Sequence, residues 1–253
     1  LHVDDQNNPD LFWAIRGGGG NFGVATRFKF QLHELDKVLG GMLCLPATAD
    51  TIASFIAEAE SAPNELSTIL NIMTAPPMPF LPADVHGKVI IMAMMVYAGD
   101  IEMGEQVISK FRSIATPYAD MIRPITYPEM FPPEGDDDYH PVAAGRTMFV
   151  DHVTRSEAEM ILNRLQSSNA SMAVTQLRVL GGAMSRVPVD ATAFAHRNSR
   201  IMVNLAALYE NPDEKEIHEA WVTEFAAALR QSDNGAYVNF LADVDEAQVR
   251  AAY

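Results

Sequence analysis

One ordering of segments, met twice, constrains this chain more than any single motif. Residues 41–45 (GMLCL) read as a strand, and a helix over about 50–60 follows with Ile52, Phe55, Ile56 and Ala59 on one face. Two strands come next, about 66–74 (LSTILNIMT) and 88–97 (KVIIMAMMVY), then a helix over about 101–115. The second half repeats the order. A strand at about 145–152 (GRTMFVDH) leads to a helix over 156–168, opened by Thr154 with Glu157 three residues later, a capping box. Strands at about 172–180 (MAVTQLRVL) and 200–208 (RIMVNLAAL) precede a helix over 213–230, capped by Asn211-Pro212 with Glu214 behind them. Strands that succeed one another through short turns favour antiparallel pairing. The order β-α-β-β-α, twice, therefore predicts an α+β fold with one large antiparallel sheet and its amphipathic helices packed on one face. The two halves share order and not wording, and the Pro-rich, acidic stretch 127–141 (YPEMFPPEGDDDYHP) joins them as a loop.

Ahead of this unit stands a different pattern. Asn8-Pro9-Asp10 opens a short helix running to about Ile15, with Asn as N-cap and Pro at the first helical position. Four glycines end it. Val24, Thr26, Phe28, Phe30 and Leu32 then alternate with Ala25, Arg27, Lys29 and Gln31, the period of a half-buried strand. Gly18-x-Gly20-x-x-Gly23 has the spacing of a dinucleotide-binding turn, but that turn follows a strand and opens a helix, and here the order is inverted. The Rossmann reading fails. Glycines without Cβ still let a flat ligand or another backbone lie against the chain, and successive N–H groups can converge on an anion. A tight connection with no ligand is an equal alternative on composition alone.

Charge and composition narrow the partners. With 33 acidic against 18 basic residues the formal charge is −15, which repels phosphate backbones and anionic membranes; neither nucleic acid nor a membrane is expected. The longest apolar run, Val89 to Ala98, is about half of the ~20 residues a membrane helix needs. A single cysteine, Cys44, allows no internal disulfide, fits a reducing, cytoplasmic setting, and reads as a small core residue. Asp136-Asp137-Asp138-Tyr139-His140 lacks any metal-binding spacing, so no metal is expected there. The chain opens without methionine and closes inside a predicted helix, which reads as a piece of a longer protein.

The wording of residues 8–33, NPDLFWAIRGGGGNFGVATRFKFQLH, resembles the segment that closes the FAD-binding domain of FAD-linked oxidases of the berberine bridge enzyme type, in the vanillyl-alcohol oxidase or PCMH-type flavoprotein superfamily. Leu180 to Met184 (LGGAM), Asp190 to Phe194 (DATAF) with His196-Arg197, Gly235 to Phe240 (GAYVNF) and Arg250 to Tyr253 are similar to later passages of that family, so the resemblance covers the whole chain. It implies two parts: residues 1–38, the tail of an α+β FAD-binding domain, and residues 39–253, a substrate-binding domain. It implies FAD as cofactor, in many members tethered covalently through residues that lie outside this chain, and a missing N-terminal FAD domain as partner. The fragment alone would then retain FAD poorly and be inactive.

By the same resemblance the flavin contacts would be Arg16, Gly17, Gly18, Gly19, Gly20, Asn21, Phe22, Gly23, Val24 and Thr26. The implied reaction is a two-electron oxidation of an alcohol, sugar, phenol or amine, with O₂ as acceptor. Family members place a base on the substrate sheet; the matching positions here are Tyr237 and Asn204, with Tyr139, Arg197, Asn239 and Phe240 as substrate-contacting candidates. Phe240 stands where a proton-accepting tyrosine is usual, and Asn204 cannot act as a base. That leaves Tyr237 as the ionisable candidate, against the alternative of a tyrosine filling the core. A non-catalytic α+β binding or dimerisation module, and a retained fold whose activity is lost through Phe240, stay open beside the oxidase reading, as does a homo-oligomer.

Overall fold

The computed structural model describes residues 1–131, 142–231, Tyr237 and Asn239. Tyr139, the acidic run beside it and Phe240 lie outside the described residues.

The long helices and strands form where the sequence places them, to within a few residues at their ends. Helix α1 (Pro9–Ala14) has Pro at its start and Asp10 in its first turn, although Asn8, in the left-handed region at φ 54, spends its amide on the His2 carbonyl at 2.8 Å and not on a cap. Strand β1 (Val38–Pro46) leads into α2 (Ala49–Ser61), capped by Thr48, whose hydroxyl accepts from the Thr51 N–H at 3.1 Å. Strands β2 (Leu66–Thr74) and β3 (Val89–Tyr97) precede α3 (Ile101–Arg112), capped by Asp100. Two short strands, β4 (Ala119–Asp120) and β5 (Arg123–Ile125), pair with β1. The second half follows with β6 (Val142–Val150), α4 (Arg155–Gln166), β7 (Met172–Val179), the one-turn α5 (Gly182–Ser185), β8 (Ile201–Tyr209) and α6 (Lys215–Leu229). At α4 the Glu157 carboxylate accepts from both the N–H and the hydroxyl of Thr154, the predicted capping box. Asn211 caps a 3-10 turn (Pro212–Glu214) that only then passes into α6, two residues later than the sequence suggests.

The eight strands among the described residues form one sheet, in the order β4-β1-β3-β2-β7-β8-β6 with β5 also on β1, and every pairing is antiparallel. The two halves meet at the centre, where β2 pairs with β7, its counterpart in the repeat. Alternate residues of each strand face the four long helices. Leu43 and Leu45, Leu70 and Ile72, Ile91 and Ala93, Leu177, Val203 and Leu205 join Phe55, Phe111, Ile161 and Phe225 in one continuous core. Each large side chain fully buried there stabilises the fold by roughly 1.5–3 kcal/mol. Phe55 and Phe111 meet edge-on with ring centres 4.9 Å apart, tying α2 to α3.

The strand expected over 24–32 does not form. Residues 23–37 adopt no regular structure, and the alternating apolar side chains stand in solvent: Val24 is 92%, Phe28 69%, Phe30 74% and Leu32 81% exposed. The reason is pairing. A strand needs a neighbour for its N–H and C=O groups, and among the described residues no strand pairs with it. Strands β4 and β5 escape sequence reading for the opposite reason: two and three residues carry no period, and they exist because β1 offers them an edge. No helix among the described residues is long and apolar enough to cross a membrane.

Candidate functional site

With one sheet face committed to the helices, chemistry is left to the other. One row of side chains crosses this front face along the register of five pairings: Thr147 opposite Asn204, Asn204 opposite Gln176, Gln176 opposite Asn71, Asn71 opposite Met92, and Met92 opposite Cys44. The Asn71 Nδ2 donates to the Met92 carbonyl at 3.0 Å, the Gln176 Nε2 donates to Asn71 Oδ1 at 2.8 Å, and the Thr147 hydroxyl donates to Asn204 Oδ1 at 3.1 Å. Asn71, Gln176 and Asn204 are half-buried, in strands whose other front-facing residues are largely Met, Ile and Val. Arg178, two residues beyond Gln176, faces the same way, and burial pushes its pKa down.

Loops from opposite ends of the sheet fold over this face. Between β2 and β3, Leu81 and Val85 roof Cys44, Ile90 and Met92. Burial there pushes the Cys44 thiol up to about 11, which fits the core role read from sequence. At the other end, between β7 and β8, His196 stacks on Phe149 with ring centres 4.3 Å apart.

That second loop also holds the glycine turn. The Trp13 indole donates to the Asp190 carbonyl at 2.7 Å, and the Ala193 N–H donates to the Trp13 carbonyl at 3.2 Å. Gly17, at φ +119, lies so close to the loop that a Cβ on it would stand 2.4 Å from the Phe194 nitrogen. Phe194 in turn meets Tyr237 edge-on at 5.5 Å, and the Asn239 amide donates to the Tyr237 hydroxyl at 2.7 Å. Arg197 is 9% exposed; its Nη2 donates to the Thr192 hydroxyl at 2.6 Å and its Nη1 to the Met184 carbonyl at 3.3 Å. Its Nε is buried with no hydrogen-bond partner among the described residues.

The structure thus brings Gly17, Arg197, Tyr237 and Asn239 together around Phe194, and places Asn204 on the adjoining sheet face. It does not bring Arg16 in: that side chain folds back, donating from Nε to the Phe12 carbonyl at 2.9 Å with its guanidinium 3.9 Å from the Phe12 ring. Gly19 to Phe22 form an exposed 3-10 turn, and Val24 and Thr26 lie on the unpaired segment. Tyr237 and Asn239, expected on a strand, sit in irregular backbone and a 3-10 turn respectively. Sequence reading missed Asn71, Thr147, Gln176, Arg178 and Phe194. A signal existed for two of them: a lone amide inside ILNIM and another inside VTQLR, each out of phase with the leucines and isoleucines that fill the core. No group of three or more His, Cys, Asp or Glu among the described residues could hold a metal ion.

No family model matches the chain. An FAD-linked oxidoreductase of Dictyostelium discoideum is 30% identical over 250 residues, covering 94% of this chain and 51% of that protein. Among solved structures, 6-hydroxy-D-nicotine oxidase from Arthrobacter nicotinovorans superposes with a TM-score of 0.77 at 18% identity, over 100% of this chain and 57% of its own. A single-substitution variant of berberine bridge enzyme, described as a reticuline dehydrogenase, gives 0.75 at 18% identity, over 94% and 51%. The fold is therefore that of the matched part of these solved structures. Over most of its length the chain is similar in sequence to FAD-linked oxidoreductases and in fold to structures of berberine bridge enzyme and 6-hydroxy-D-nicotine oxidase. It spans about half the length of the curated relatives it matches over most of its own length.

Proposed function

We propose that this chain is the substrate-side part of an FAD-dependent oxidase, in which residues 1–38 complete a flavin-binding domain and residues 39–253 form the substrate-binding sheet. One observation carries the reading: the unpaired alternation at 24–32, beside a glycine turn whose outer side is bare. A Cβ added at Gly20 or Gly23 would meet nothing within 4 Å, and Gly20 has no positive φ, so nothing among the described residues requires glycine at position 20. A surface that approaches closely from outside would use the missing Cβ. The period of two then completes itself by pairing with strands of the rest of the protein, covering Phe28, Phe30 and Leu32.

The residues present fit a flavin on one side. Gly19 to Gly23 offer exposed backbone for close approach, and the Phe194–Arg197–Tyr237 group stands next to them across Gly17. When bound, FAD would accept the two electrons of the oxidation, with O₂ regenerating it. The chain's own part is to orient and to hold a proton. Thr147, Asn204, Gln176 and Asn71 bind and orient substrate without taking its proton, since none of them ionises. Tyr237, its oxygen oriented by Asn239, is the proton acceptor of this reading.

The test is to express the chain with its natural upstream sequence and follow flavin. A yellow protein that consumes O₂ with an alcohol, sugar, phenol or amine, and loses that turnover with Tyr237→Phe while keeping its colour, supports the proposal. A folded full-length protein that stays colourless and does not take up added FAD overturns it in favour of a binding or dimerisation module.

A further inference from the structure

The Asn71–Gln176 part of the front-face row has a fixed polarity, and one main-chain atom fixes it. A backbone carbonyl can only accept, so the contact with Met92 O sets Asn71 with its Nδ2 toward Met92 and its Oδ1 toward Gln176. Oδ1 can only accept in turn, so Gln176 must present Nε2 to Asn71. That leaves the Gln176 Oε1 as the group's spare acceptor. On the neighbouring strand Asn204 spends its Oδ1 on the Thr147 hydroxyl, and its spare atom is the donor Nδ2. Gln176 and Asn204 are register partners on adjacent strands, yet among the described residues no side-chain hydrogen bond closes the row between them. Register partners on adjacent strands are thus left with an acceptor on one and a donor on the other, half-buried, on a sheet face otherwise rich in methionine.

We infer that Gln176 Oε1 and Asn204 Nδ2 form a subsite for one uncharged hydroxyl group, and that Asn71 is the positioning residue that holds the Gln176 acceptor outward. A hydroxyl gives one hydrogen bond and takes another, which matches the pair; a protonated amine only donates, and would leave the Asn204 amide facing a cation with nothing to accept from it. The inference rests on the sheet front being the substrate face of the proposed oxidase, and it concerns orientation there, not proton transfer.

Side-chain amide NMR of the full chain tests it without needing flavin. In the unaltered protein the two Gln176 Nε2 protons give well-separated, slowly exchanging signals. Asn71→Ala removes the acceptor, so they move to the free-glutamine position and exchange at least tenfold faster. Asn71→Asp keeps an acceptor there and restores the separation. A thermal melt of each variant confirms that it is folded. Glycerol, titrated as the hydroxyl probe, shifts the Gln176 and Asn204 amide signals in the unaltered chain and not in Asn71→Ala, whereas n-butylammonium at the same concentration shifts neither. Unchanged Gln176 signals in Asn71→Ala overturn the positioning role. Equal response to both probes, or none to glycerol, overturns the hydroxyl subsite. Absence of flavin binding by the full-length protein would defeat the oxidase reading and leave these amide results standing.

Discussion

Replacing Gly17 by alanine inserts a methyl group into a space the β7–β8 loop already fills. The new Cβ would stand 2.4 Å from the Phe194 nitrogen and 2.6 Å from its Cα, against an ordinary contact of 3.4 Å or more. Backbone on both sides must therefore part by about 1 Å, an overpacking cost of about 1–3 kcal/mol. Holding alanine at a φ of +119 adds about 1–3 kcal/mol more. Against this, α1 is tied to the loop by two hydrogen bonds, from Trp13 to Asp190 and from Ala193 to Trp13, together about 1–3 kcal/mol net. The strain meets or exceeds what resists it, so α1 and the glycine turn should leave the loop while the sheet stays folded. Trp13 reports the release: with Trp221→Phe as background, its emission should shift to the red and the first 20 or so residues should become rapidly cleavable, with little change in the urea midpoint of the remainder. The companion change Gly20→Ala meets nothing within 4 Å and should alter the chain's own stability by less than about 0.5 kcal/mol. In the full-length protein it should nevertheless weaken flavin retention. Wild-type emission and cleavage in Gly17→Ala would refute the strain argument.

Other outcomes follow from the same structure. Thr175 is fully buried on the helix side of β7 and its hydroxyl finds no partner among the described residues, so Thr175→Val should raise the urea midpoint by an amount equivalent to about 1 kcal/mol. Partial burial alone would raise the Glu157 pKa, but the hydrogen bonds from Thr154 outweigh it and hold the carboxyl below its usual range. Its contribution is thus complete above the unfolded glutamate value and disappears as pH falls through the lower folded value; Thr154→Ala should return the carboxyl toward the ordinary range in a carbon-detected titration. The Cys44 thiol, raised to about 11, should resist a disulfide reagent near pH 8 until the sheet unfolds. Its linkage runs the other way: stability is intact below the unfolded cysteine value and declines as pH climbs toward the folded one, so an alkaline urea series on Cys44→Ala should show a shallower loss.

How far the sequence carries depends on whether an element makes its own signal. Strands β2, β3, β7 and β8 and helices α2 and α4 were legible from short apolar runs such as LSTILNIMT, the stripe of Ile52, Phe55, Ile56 and Ala59, and the cap pair of Thr154 and Glu157. The strand at 24–32 had an equally clear alternation and is not a strand here, since period predicts a face and pairing needs a second chain segment. At the site, spacing marked the glycine turn, and the family resemblance marked the His196-Arg197 passage. It could not show that Phe194 is the residue Gly17 makes room for, because that contact joins positions far apart in sequence through two loops. The polar row was hidden for a related reason: Asn71, Gln176 and Asn204 become neighbours only through a strand order that composition does not encode.

The meeting of β2 with β7 reaches beyond this molecule. Each is the corresponding strand of its own half, they run in opposite directions, and Leu70 faces Leu177 as Met73 faces Val174. Such an edge is complementary to itself under a half-turn. A lone β-α-β-β-α unit would therefore expose a border already suited to a second copy of that unit, and fusing two such copies end to end would yield the arrangement of strands seen here. The repeated order thus places corresponding strands of the two halves symmetrically about the β2–β7 seam.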